Sequence, residues 1–231
     1  ADRLGVLFQV HTAETAVERD QSIRDSGATP VAHLQRLGLL DARSLLAHCV
    51  WVDEADMTVL AASNCAVAHC PQSNMKLASG IAPISDLVGH GVCVGLGTDG
   101  CASNNDLDLF GEMDTAATLH KAATGDPTAM DAGSVLRMAT TDGARAIGLN
   151  DRIGSLTTGK QADIIVLDTR APHLTPLYHP ESHIVYAASG ADGRHVLVDG
   201  VLLVRDRRLQ TIDIDAVMHQ VNRIARKISG G

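Results

Sequence analysis

The first half of the chain alternates short, wholly apolar runs with longer segments of helical spacing. Leu4–Val10 reads as a buried strand ending at His11, and Ser44–Val50, Cys65–His69 and Val92–Leu96 repeat the pattern. Glu14–Ser26, Pro30–Leu37, Glu54–Ser63 and Ile84–Gly89 between them have helical spacing, and Leu107–Ala123 and Ala132–Ile147 follow as longer helices. Strands apolar on both faces, separated by helices, form parallel βα units. Four such units fit part of an α/β barrel or of an open doubly wound sheet. The glycine-rich turn that a dinucleotide fold places after its first strand is missing here, which favours the barrel.

The pattern changes after about residue 148. Ile164–Leu167, Ile184–Ala187 and Val196–Val198 read as short strands, and Asp199-Gly200 is a two-residue hairpin signal between VLV and VLLV. Asp213–Ile228 reads as an amphipathic helix, with Asp213 or Asp215 as its cap and Arg and Lys in its last turn. The expected division is a barrel half over residues 1–149, a small all-β module over 150–212 and a closing helix over 213–231.

Charge and composition narrow the partners. The 231 residues carry 19 Lys and Arg against 27 Asp and Glu, a net charge of −8, which argues against nucleic acid or an anionic membrane as partner. With 45% hydrophobic residues the chain can bury a core. No apolar run approaches the length of a membrane-spanning helix, and the first apolar run lacks a small-residue cleavage site, unlike a secretory leader. The five cysteines are odd in number and form no CxxC, which reads as free thiols of a cytoplasmic protein.

Four polar residues stand at the C-terminal ends of the expected strands: His11, His48, His69 and Asp99. In a barrel these ends form the active-site face. Imidazole nitrogen and carboxylate oxygen suit zinc or a similar divalent ion. The plainer alternative stays open, because strand-end histidines are often only hydrogen-bonded and Asp99 in GTDG suits a turn. Three details favour chemistry. Glu14 follows His11 by three residues, His48 ends a wholly apolar run, and Gly97 and Gly100 flank Asp99.

The segments HTAET (11–15), LLAHCVW (45–51), HCPQSNMKLASGIAP (69–83), GTDGCASNN (97–105) and ATTDGARAIGL (139–149) resemble the amidohydrolase superfamily. More narrowly, they resemble the 5-methylthioadenosine/S-adenosylhomocysteine deaminases and their chlorohydrolase relatives, SNMKLASG favouring the former. The later run IGSLTTGKQADIIVLD (153–168) resembles the β-sandwich that accompanies that barrel. The resemblance implies the C-terminal half of a metal-dependent (β/α)8 TIM barrel, strands five to eight, plus part of a small composite β-sandwich.

It also implies roles. His11 and Asp99 correspond to ligands of one divalent metal ion, Zn2+ foremost. Asp99 is also the base that takes a proton from the water that becomes the attacking hydroxide. Glu14 contacts the purine ring nitrogen and relays a proton to it, so Glu14 and Asp99 both touch substrate. His48 positions the hydroxide. His69, Ser73 and Asn74 are pocket candidates, with Ser73 and Asn74 equally readable as helix caps. The implied activity is hydrolytic deamination of an adenosine-like nucleoside, releasing ammonia. The family's first metal motif, His-x-His, occurs nowhere among the eleven histidines. The resemblance therefore implies as partner an N-terminal barrel half that carries it, and leaves a homo-oligomer open. Two alternatives stand beside this reading: another hydrolase of the superfamily, such as one acting on a chlorotriazine, and a barrel without catalysis.

Overall fold

A computed structural model describes residues 2–41 and 43–230. Four parallel strands, β1 (Phe8–Thr12), β2 (Ser44–His48), β3 (Cys65–His69) and β4 (Cys93–Leu96), form one sheet in sequential order. The register places Thr12 opposite His48 and His69 opposite Leu96, so the C-terminal ends of the strands lie along one rim. Helices α1 (Ala16–Ser26), α2 (Pro30–Arg36), α3 (Glu54–Ala62), α4 (Pro71–Lys76) and α5 (Ile84–Gly89) occupy the connections. The core beneath the rim joins Val31, Leu40, Leu46, Leu60, Val67, Ile84, Leu87 and Val94.

After β4 come α6 (Leu109–Thr124), α7 (Ala132–Ala139) and α8 (Thr141–Ala146). A second sheet is antiparallel, in the order β5 (Ile164–Leu167), β6 (Gly193–Val198), β7 (Val201–Arg205) and β8 (Arg208–Leu209). Helix α9 (Pro180–Tyr186) interrupts that sheet's sequence, and α10 (Ile214–Ile228) closes the described chain. No helix among the described residues is long and apolar enough to cross a membrane.

Several sequence expectations need correction. The first strand does not begin at Leu4: residues 2–4 form a 3-10 turn, and the strand starts at Phe8 and includes His11. Ile184–Ala187 is not a strand. Pro180 at the first helical position and Glu181 in the first turn start a helix there, and Val185 is buried against Met113, Ala116, Ala117 and Val135. The interval 150–212 is therefore not all β; α9 packs on α6 and α7. The single helix expected over Ala132–Ile147 is two, broken at Thr140, whose φ of −128° and ψ of −92° leave the helical region. Helix α4 was not expected, since PQSNMK has no apolar period; Pro71 at its first position is the start signal. Asp213 is the cap of α10, its side chain accepting from the Ala216 N–H.

Candidate active site

The turn from β1 to α1 carries Glu14. Thr15 caps α1, its Oγ1 accepting from the Glu18 N–H at 3.1 Å. The Glu18 carboxylate reaches back and accepts from the N–H groups of Ala13 and Glu14 at 2.8 and 2.7 Å. Glu14 thus precedes the helix by two residues and is pinned from behind by Glu18; of its own carboxyl, Oε1 accepts from Ser79 Oγ and Oε2 faces His48. The Thr15-x-x-Glu18 spacing was a readable capping signal.

At the end of β2, His48 is fully buried and has φ of +76°; Cys49 follows at +47°. Asp99, after β4, has φ of +61°. Left-handed backbone at residues other than glycine costs on the order of 1–3 kcal/mol each and collects at functional sites. Here two of the site's side chains stand on such residues.

One ligand atom each from His11, His48 and Asp99 lie within 4.8 Å of one another. The His11 and His48 rings stack with centroids 5.3 Å apart. His11 Nε2 stands 3.7 Å from Asp99 Oδ1, and His48 Nε2 stands 3.8 Å from Glu14 Oε2. His48 Nδ1 lies 2.8 Å from Asn74 Oδ1, but the buried Nε2 has no hydrogen-bond partner. An orphaned buried nitrogen facing an imidazole and a carboxylate is the donor set that a divalent cation such as zinc satisfies.

Asp99 Oδ2 accepts from Ser73 Oγ at 2.7 Å and Ser103 Oγ at 2.6 Å. Partial burial alone would raise its pKa. The hydrogen bonds from Ser103, Ser73 and the Gly100 backbone outweigh burial and hold it down to about 2. Asp99 is therefore a carboxylate at any ordinary pH.

The sequence-predicted residues His11, Glu14, His48 and Asp99 converge. His69 does not join them: it is buried and turned to His120 of α6, with the two Nε2 atoms 3.0 Å apart. Burial, then His120 and His48, push its pKa well down, so the pair is neutral. Ser73 and Asn74 are not caps either. They lie inside α4, buried, and bond to site residues. Sequence reading missed Ser79, Ser103 and the cluster of buried Glu112 and Asn104 with half-buried Gln72. Asn104 Nδ2 donates to Glu112 Oε1 at 2.5 Å and to Gln72 Oε1 at 3.2 Å, and the Gln72 N–H donates to Glu112 Oε2. This cluster fixes the loop that follows Asp99. Glu112 shows in the sequence only as one more acidic residue on an amphipathic helix.

Residues 1–203 match the model of the amidohydrolase family. A 5-methylthioadenosine/S-adenosylhomocysteine deaminase of Syntrophobacter fumaroxidans is 56% identical over 219 residues, covering 95% of this chain and 50% of the relative. A 5'-deoxyadenosine deaminase of Methanothermobacter thermautotrophicus is 46% identical over 230 residues, covering 100% and 53%. The crystal structure of an adenosine deaminase from Xanthomonas campestris, with bound zinc, superposes with a TM-score of 0.96 at 42% identity, covering 100% of this chain and 53% of that one. An atrazine chlorohydrolase from Arthrobacter aurescens, complexed with zinc, superposes at 0.87 with 27% identity, covering 96% and 49%. The chain spans about half the length of the curated relatives it matches. Its parallel sheet with helices is a partial barrel of their fold, with a second sheet beside it. By family match and identity alike, the chain belongs to the amidohydrolase family.

Proposed function

We propose that this chain supplies one side of the active site of a metal-dependent hydrolase that deaminates adenosine-like nucleosides, 5-methylthioadenosine or S-adenosylhomocysteine foremost. The observation that carries it is the Glu14 carboxylate set 3.8 Å from the unpartnered His48 Nε2, beside His11 and Asp99. The deaminase relatives support the substrate class. The rest of the site, including a His-x-His segment, comes from the part of the protein that the relatives possess beyond this match. β1 and β4 stand at the two ends of the parallel sheet, where further strands would pair. The five unpaired cysteines support a reducing, cytoplasmic setting.

His11 and Asp99 would hold one divalent cation, with His48 Nε2 beside them to position the attacking water; zinc suits such nitrogen and carboxylate donors. Such an ion supplies Lewis acidity and makes water ionisable near neutral pH. The chain's own residues do the rest. Asp99, ionised and fixed by two serines, accepts a proton from the attacking water. The water oxygen bonds to the ring carbon that bears the exocyclic amine. Glu14 delivers a proton to the adjacent ring nitrogen, so the electron pair of the broken C=N bond has a place to rest. The C–N bond to the amine then breaks: the amine takes the proton held by Asp99 and leaves as ammonia, while the new hydroxyl returns a proton to Glu14 and the ring keeps a carbonyl. One acid and one base in the same pocket must differ in protonation state. Asp99, with two serine donors and a low pKa, is the group kept ionised.

The test is ammonia release by the natural-length protein. Glu14→Gln keeps shape and hydrogen bonding but moves no proton, and turnover falls by about 10²–10⁴-fold with metal content unchanged. A wild-type protein that releases no ammonia from these nucleosides but dechlorinates a chlorotriazine overturns the reading in favour of a chlorohydrolase.

A further inference from the structure

The run from Ser73 to Ser79 touches three of the site's groups. Ser73 Oγ donates to Asp99 Oδ2 at 2.7 Å, Asn74 Oδ1 meets His48 Nδ1 at 2.8 Å, and Ser79 Oγ donates to Glu14 Oε1 at 3.1 Å. In each case the run engages one of two equivalent atoms and leaves its twin toward the site. The free twins are Asp99 Oδ1, 3.7 Å from His11, and the pair His48 Nε2 and Glu14 Oε2, 3.8 Å apart.

The strap is itself held. Trp51 Nε1 donates to the Ser79 carbonyl at 2.7 Å, and Lys76 Nζ donates to the Ala102 carbonyl at 2.8 Å and to Asn105 Oδ1. Ser73, Asn74 and Ser79 are all buried. Side chains placed this way do not line a pocket for substrate.

We infer that Ser73–Ser79 is a positioning strap, and that Asn74 in particular fixes the tautomer of His48. An amide oxygen can only accept, so the proton sits on His48 Nδ1 and Nε2 keeps its lone pair for the site. Hydrogen bonds of this kind behind a ligand or catalytic histidine orient the ring and set its basicity. The inference deepens the proposed function and rests on its assignment of His11, Glu14, His48 and Asp99 as the site, but not on which nucleoside is used.

The experiment has two arms. In the first, the zinc-loaded, natural-length protein is labelled with 15N-histidine, and long-range proton–nitrogen correlations read the His48 tautomer without substrate. The His48 signal is assigned by its loss in His48→Gln. The expected result is a protonated Nδ1 and a bare Nε2; a protonated Nε2 overturns the inference whatever any variant does. In the second arm, Asn74→Leu removes the acceptor and Asn74→Asp keeps it. The Leu variant is expected to lose the single tautomer and about 10–100-fold in kcat, with KM little changed. The Asp variant is expected to regain the Nδ1-protonated form and most of that rate. A folded, zinc-loaded Leu variant with wild-type kcat overturns the inference. If the wild type turns over no nucleoside while its His48 shows the expected tautomer, the proposed function fails and the strap stands.

Discussion

Two histidine–carboxylate pairs in this molecule have the same separation and different meanings. His48 Nε2 lies 3.8 Å from Glu14, and His195 Nε2 lies 3.8 Å from Asp206. The first pair sits at the end of β2, all five residues of which are buried. The second sits in the antiparallel sheet, where β7 has no buried residue. Both pairs include a residue with left-handed backbone, His48 and Asp206, but around His48 one ring nitrogen is orphaned and the other is held by a buried amide. Around His195, the Asp206 N–H donates to Nδ1, and Arg194 neutralises the carboxylate, whose pKa it lowers by a side-chain hydrogen bond. Water can reach the second pair, whereas the buried His48 Nε2 has no hydrogen-bond partner among the described residues. Separation alone does not mark a site, nor does left-handed backbone; burial and an unmet donor set do.

The largest expected effect follows directly. Asp99→Asn removes the site's fixed negative charge and, on the proposed function, its base, and the proposed deaminase turnover should fall by about 10²–10⁴-fold along with metal content. Asp206→Asn, in the look-alike pair, should leave both at wild-type values. Equal losses in the two variants, measured as ammonia release and bound metal, would erase the distinction.

Burial gives the next contrast. Leu46 is fully buried in the core beneath the rim, and Leu46→Ala should destabilise by about 2–5 kcal/mol in urea unfolding of the natural-length protein. Leu202, 36% exposed in the antiparallel sheet, should cost about 1 kcal/mol or less on the same change, because less apolar area is withdrawn from water. That sheet also borders a cavity of about 480 Å3 lined by Phe110, Ile165, Val196, Val204 and Leu209.

A third effect is a slope with pH. Glu112 is fully buried, and desolvation, against hydrogen bonds from Gln72 and Asn104, raises its pKa to about 7. The folded protein therefore holds a proton that the unfolded chain releases near the ordinary glutamate value of 4.5. Between those two values the folded state binds more protons, so this group's contribution to stability falls as pH rises and is lost above about 7. Glu112→Gln should flatten that part of the stability profile. An unchanged slope between the two values would show that Glu112 is ionised throughout.

What the sequence disclosed follows the same division. Apolar runs ending in polar residues located β2, β3 and β4, and three of the four strand-end residues converge. Burial on both faces leaves a period-free signal that is hard to mistake. The antiparallel region was less legible. Its hairpin at Asp199-Gly200 was readable from turn chemistry, yet Ile184–Ala187, rich in branched residues, folds as helix because α6 and α7 offer it an apolar surface. At the site, the identities of the groups were visible, but their wiring was not. No spacing rule connects Asn74 to His48 or Ser79 to Glu14; both depend on loops that bring distant residues together.

The smallest effects concern two glycines, required for opposite reasons. A Cβ on Gly95, in β4, would come 3.0 Å from the Gly143 Cα of α8 and 3.5 Å from Ala146 Cβ. The neighbour is backbone and cannot rotate away, so Gly95→Ala should cost about 1–3 kcal/mol by overpacking. Gly200, in the hairpin, has open space around it but φ of +77°. Gly200→Ala should cost about 1 kcal/mol, from backbone conformation alone. Asparagine separates the two causes, since it tolerates left-handed backbone yet is larger than alanine. Gly200→Asn should recover most of the loss measured for Gly200→Ala, whereas Gly95→Asn should be worse than Gly95→Ala. If asparagine rescues at 95, or fails to rescue at 200, then close packing does not distinguish the parallel region from the antiparallel one.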